Sequence, residues 1–129
     1  MKFISFNHDN SEKFGIIENN LITDLTGKID GASSLKELIK IKKIKEAKEY
    51  AKTNPGSIKP DEIKYSPLIP NPGKIICVGL NYSEHVKETN RTVEENPVIF
   101  HRFPESQTAH MQAIPVSYTH LTLPTTSCG

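Results

Sequence analysis

Five prolines (Pro55, Pro60, Pro67, Pro70 and Pro72) fall between Asn54 and Gly73, and they constrain the fold more than any other feature of the chain. Each fixes its own φ, removes a backbone donor and disfavours helix at the preceding residue. Residues 54–73 therefore read as a stiff, extended connector between two units. The expected class is α+β. A small N-terminal hairpin-and-helix domain fills 1–53, and residues 74–114 hold the first strand–helix–strand of a mainly-β domain.

Inside the first unit, Lys2–Phe6 alternates and reads as a strand. Phe14–Ile17 and Leu21–Leu25 flank Glu18-Asn19-Asn20, and Asn tolerates the positive φ of a tight turn, so these runs read as a hairpin. Ser34-Leu-Lys-Glu37 is a capping-box pattern that opens a helix. Leu35, Leu38 and Ile39 form one apolar stripe, while Ile44, Ala47 and Ala51 form another on the opposite side. A single straight helix cannot bury both, so a break is expected near Ile41–Lys43. Lysines at 40, 42, 43, 45, 48 and 52 alternate with Glu46 and Glu49, the pattern of a solvated helix face.

The last stretch differs from everything before it. Pro115–Gly129 (PVSYTHLTLPTTSCG) holds no acidic residue, lysine or arginine. Val116–Thr125 is similar, without a gap, to one translated frame of a transposase adapter used in sequencing libraries. Such a scar is set aside from fold reasoning. The natural sequence is then expected to stop near Ile114, inside a domain.

Lys and Arg number 16 against 15 Asp and Glu, a formal net charge of +1, which gives no electrostatic reason to expect nucleic acid or an anionic membrane as partner. No apolar run approaches the roughly 20 residues of a membrane span. Met1–Asn10 lacks a basic-then-apolar export signal, so a cytoplasmic location is expected. Cys77 and Cys128 make no disulfide framework, and Cys77 sits in an apolar run as a small buried hydrophobe.

Chemistry concentrates in Gly79–Phe103. Lys74–Gly79 (KIICVG) is continuous and apolar, so it reads as a strand buried on both faces. Asn81 and Glu84 offer a second capping pair, and Tyr82–Asn90 reads as a short helix. That helix would carry His85 and Glu88 on one face at i,i+3. A carboxylate beside an imidazole fixes its tautomer and raises its basicity, as a water-activating base requires. On spacing alone, His and Glu three apart on an exposed helix are usually a plain surface pair. Pro97–Phe103 reads as a further strand, with His101 on a strand surface and His110 in a loop.

KIICVGLNYSEHVKE followed by EENPVIFHRFPESQ resembles the entry to the catalytic domain of the fumarylacetoacetate hydrolase family. The shared pattern is a buried strand, Gly-x-Asn-Tyr, x-x-His-x-x-Glu, then Pro-Val-x-Phe, a basic residue and a Pro/Ser turn. The resemblance is specific over Lys74–Ser106 and looser before it. It implies that His85 and Glu88 form the dyad that positions and deprotonates water. It further implies that Arg102, Ser106 and Tyr82 meet the substrate, a small 2-oxo or β-diketo acid. The sequence departs from the pattern at Leu80, where some members carry Arg, at Phe103, where Pro is frequent, and at Arg102, where Lys is common and the change keeps charge but not hydrogen-bond geometry. The implied cofactor is Mg²⁺ or Mn²⁺, held by a Glu-x-Glu pair and a later Asp that would follow Ile114. At full length a homodimer is implied. Two rivals stand beside this reading: a non-catalytic protein-binding module, and a basic nucleic-acid binder that the net charge of +1 opposes.

Overall fold

The computed structural model describes residues 1–79 and 98–114. Three strands come first, β1 (Lys2–His8), β2 (Ser11–Glu18) and β3 (Leu21–Asp24), followed by helices α1 (Leu35–Lys40) and α2 (Ile44–Thr53). Strands β4 (Lys64–Ser66), β5 (Ile75–Gly79) and β6 (Val98–Arg102) complete the described elements, with 3-10 turns at Pro60–Glu62 and Pro104–Ser106. They form an antiparallel sheet ordered β3-β2-β1-β4 and a separate antiparallel β5–β6 ribbon. The helix expected over Tyr82–Asn90 and the adapter-like tail lie outside the described residues.

Asn19 and Asn20 turn the β2–β3 hairpin at φ 50° and 61°. A two-residue loop with both residues left-handed matches the twist of the flanking strands. Asp9 and Asn10 do the same for β1 and β2, at φ 52° and 57°. The sequence reading missed that turn. There both strands run past the core, so Asn7–Glu12 carries polar residues where apolar alternation would have marked them.

Ser34 caps α1 by accepting from the Glu37 backbone N–H at 3.3 Å. The reciprocal half of the box is displaced by one residue: the Glu37 carboxylate accepts from the N–H of Ser33, at 2.8 Å, and from its hydroxyl. These donors hold the Glu37 carboxyl below the usual carboxylate range. The expected break is present, with Lys42 at φ 60° between the helices. Leu35, Leu38, Ala47 and Ala51 are buried against Phe14, Ile16, Leu25 and Ile29, and Phe3, Ile44 and Ile69 pack at the rim. Ile39 does not join the stripe and is 52% exposed. The buried sector is centred between Leu35 and Leu38, and Ile39 lies about 70° off it at 100° per residue.

Two glycines set the spacing under this core. A Cβ on Gly15 would strike the Thr23 carbonyl, and one on Gly56 would strike the Ile22 backbone. Gly56 belongs to the Pro-rich stretch, which is no free tether. Ile58 bridges Ile22, with Ile22 N–H donating to the Ile58 carbonyl at 2.8 Å. β4 then pairs with β1 through Ser5–Ser66, Phe6–Tyr65 and Asn7–Lys64. Pro60 and Pro67 flank this short edge strand, where their missing N–H groups cost no ladder bond. Ser5 Oγ donates to the Leu68 carbonyl at 2.7 Å, and Lys36 Nζ donates to the Asn71 carbonyl at 2.7 Å.

Candidate active site

The β5–β6 ribbon carries the described part of the expected site. Its register pairs Ile75 with Arg102, Cys77 with Phe100 and Gly79 with Val98 on one face, and Ile76 with His101 and Val78 with Ile99 on the other. The expectation that β5 is buried on both faces fails. Ile76 is 64% exposed and Ile99 63%, and Cys77 is only half-buried. A continuous apolar run reports the burial a strand needs, not whether the described residues supply it. Two strands cannot cover both of their own faces.

Arg102 ends β6, exposed, on the same face as Phe100. The 3-10 turn Pro104–Ser106 follows at once. Ser106 Oγ donates to the Phe103 carbonyl at 2.7 Å, which fixes its rotamer. Arg102 and Ser106 thus sit together at one end of the ribbon, four residues apart in sequence. Gly79 and Val98 pair at its other end, about 13 Å away at ~3.3 Å per residue. Tyr82, His85 and Glu88 lie outside the described residues, between Gly79 and Val98. His101 stands on the strand and is stacked edge-on against Phe103, with ring centroids 5.8 Å apart. His110 lies in a turn, edge-on to Tyr65 at 5.1 Å.

Beyond Ser106 the chain folds back onto the first sheet. Gln107 Nε2 donates to the carbonyls of Ile69 and Pro104, each at 3.3 Å. Gln112 Nε2 donates to the Tyr65 carbonyl at 3.0 Å, and Ala109 between them is buried. A cleft of about 260 Å³ opens there, lined by Ile4, Tyr65, Leu68 and His110 among others, and it includes neither Arg102 nor Ser106. Sequence reasoning missed Gln107 and Gln112. Their acceptors lie 38 and 47 residues away, so no local pattern marks them.

No family model matches the chain. It is 42% identical over 45 residues to the mitochondrial oxaloacetate tautomerase of Rattus norvegicus, covering 35% of this chain and 14% of that protein. It is 50% identical over 32 residues to the fumarylacetoacetate hydrolase domain-containing protein 2 homolog of Dictyostelium discoideum, covering 25% of this chain and 10% of that protein. Over these short stretches the chain is similar to proteins of the fumarylacetoacetate hydrolase family. An HpcE-type protein from Mycobacterium smegmatis superposes at TM-score 0.59 and 22% identity, covering 79% of this chain and 36% of that one. At that identity the likeness bears on the fold, and it agrees with the α+β class. The chain spans well under half the length of each of these relatives.

The described residues offer no divalent-cation site. No three His, Cys, Asp or Glu side chains among them come together as ligands would. The hard oxygen donors that Mg²⁺ or Mn²⁺ prefers are therefore not assembled by this part of the chain. Also among the described residues, no helix is long and apolar enough to cross a membrane.

Proposed function

We propose that the protein containing this segment is a fumarylacetoacetate hydrolase family enzyme acting on a small 2-oxo or β-diketo acid. The observation that carries the reading is the stretch of 42% identity to an oxaloacetate tautomerase. A four-carbon 2-oxo diacid is accordingly the first substrate to assay. His85 is the base, and Glu88 is the carboxylate that raises its basicity. A base so paired can take a proton from water, for hydrolysis or hydration, or from the carbon beside a keto group, for tautomerisation.

Arg102 supplies a fixed cation with a planar donor fork suited to a carboxylate. Ser106 and Tyr82 supply neutral hydroxyls for the oxo oxygen or the second carboxylate. Residues 1–53, 54–73 and 74–114 serve as N-terminal domain, connector and start of the catalytic domain. In a homodimer, Mg²⁺ or Mn²⁺ would be held by residues outside the described ones and would supply Lewis-acid polarisation of the oxo acid. Pro115–Gly129 has no part in it.

The test is turnover by the full-length enzyme with oxaloacetate and related 2-oxo and β-diketo acids, comparing wild type with His85→Ala and Arg102→Ala. Loss of turnover in the first and a raised KM in the second are expected. Wild-type turnover and KM in both variants would sink the assignment.

A further inference from the structure

The segment after Ser106 is tied to the first sheet by several contacts that none of the proposed chemistry requires. Gln107 stands next to Ser106, and its carboxamide donates in two directions, to Pro104 within the turn and to Ile69 outside it. Ile69 is itself anchored, with its side chain packed against the buried core of β2, α1 and α2. A second tie lies five residues on, where Gln112 donates to the Tyr65 carbonyl and accepts from the Ala109 N–H at 3.4 Å. Tyr65 belongs to β4 and pairs with Phe6, which is 1% exposed. The Tyr65–His110 ring contact and the burial of Ala109 close the same junction.

A 3-10 turn of three residues has little stiffness of its own. Its hydrogen bonds, Ser106 N–H to Phe103 and Gln107 N–H to Pro104, are local and exposed to competition from water. Without an outside tether, Ser106 Oγ would sample more than one position. Gln107 supplies that tether. We infer that Gln107 is a positioning residue, tying the turn that presents Ser106 to the packed N-terminal core through Ile69, so that this core sets the geometry of the substrate-binding end of the ribbon. The inference rests on the reading of Ser106 as a substrate contact.

Hydrogen exchange on the 129-residue chain tests the tie itself. Gln107→Glu removes the donor and sets a carboxylate against two carbonyls; Gln107→Leu removes it without adding charge. In both, the amides of Ser106 and Gln107 should exchange roughly 3–10-fold faster, the scale of one lost hydrogen bond. The amides of Phe14 and Leu25 should stay unchanged. Unaltered exchange at Ser106 and Gln107 in both variants overturns the inference.

Kinetics on the full-length enzyme test the consequence. Gln107→Leu should raise KM about 3–10-fold with little effect on kcat. In a Ser106→Ala background it should add almost nothing, because both changes act through one contact. A staple with no bearing on substrate would lower Tm and leave this KM-against-kcat split flat, and that result also overturns the inference. If Ser106→Ala leaves KM unchanged while exchange at the turn still accelerates in the Gln107 variants, the substrate role of Ser106 is what has failed.

Discussion

Gly79 and Val98 face each other across the β5–β6 ribbon, so residues 80–97 leave and rejoin it at a single point. Tyr82, His85 and Glu88 all belong to that stretch, and Arg102 stands at the far end of β6.

In the full-length enzyme, His85→Ala should lower kcat by roughly 10²–10⁴, the usual contribution of a positioned base. Binding of a non-reacting 2-oxo acid analogue should change much less. Glu88→Gln should shift the acidic limb of the kcat–pH profile to lower pH, because the imidazolium loses its partner charge. An unmoved profile in Glu88→Gln would separate Glu88 from His85.

Within α1, neighbouring residues should respond very differently to truncation. Leu38 is 0% exposed, and Leu38→Ala should cost about 2–5 kcal/mol. Ile39 is 52% exposed, and Ile39→Ala should stay within about 0.5 kcal/mol. Urea unfolding followed by far-UV circular dichroism reads both. Equal losses would mean that the helix buries a different face.

Gly15→Ala should destabilise the first sheet by about 1–3 kcal/mol, because the new Cβ meets the Thr23 carbonyl and only backbone can move to make room. Gly56→Ala should behave alike, against Ile22. Thermal unfolding midpoints close to wild type in both would show that the sheet is looser there than its geometry implies.

Asp24 gives the first sheet a pH dependence. Partial burial pushes its carboxyl pKa up, but the Thr26 N–H at 2.8 Å and Lys13 Nζ at 3.0 Å outweigh that and hold it below the usual value. A depressed folded pKa stabilises above the unfolded value, near about 3.9, and that stability is lost as pH falls through the folded pKa. Asp24→Asn should therefore cost on the order of 1 kcal/mol at pH 7, and the gap to wild type should close as pH falls through the lowered folded pKa. A gap that stays constant with pH would point to packing instead of charge.

Much of the first sheet was legible because its signals are local. The Asn19-Asn20 turn, the Ser34 cap and the break before Ile44 each depend on residues within a few positions of one another. β4 was hidden, since Lys64–Ser66 is three residues long and its pairing with β1 spans most of the first half of the chain. The apolar run of β5 marked a strand correctly but overstated its cover, because hydrophobicity measures demand for burial and cannot say which residues provide it. At the candidate site, the types at Arg102 and Ser106 were readable through the family pattern. The Gln107 tie was not, because an amide reaching a distant carbonyl leaves no periodic trace.

The Asp9-Asn10 and Asn19-Asn20 turns have a kinetic corollary. They let β1, β2 and β3 zip from nearest neighbours, with loop closures among the least costly a chain can make. During synthesis all three strands clear the ribosome before β4 has been translated, so a twisted three-stranded meander would be waiting with the β1 edge open. β4 then arrives as a latch. Because the Ile69 anchor of Gln107 follows only three residues after β4, that anchor is in place only once the last strand of the first sheet has docked.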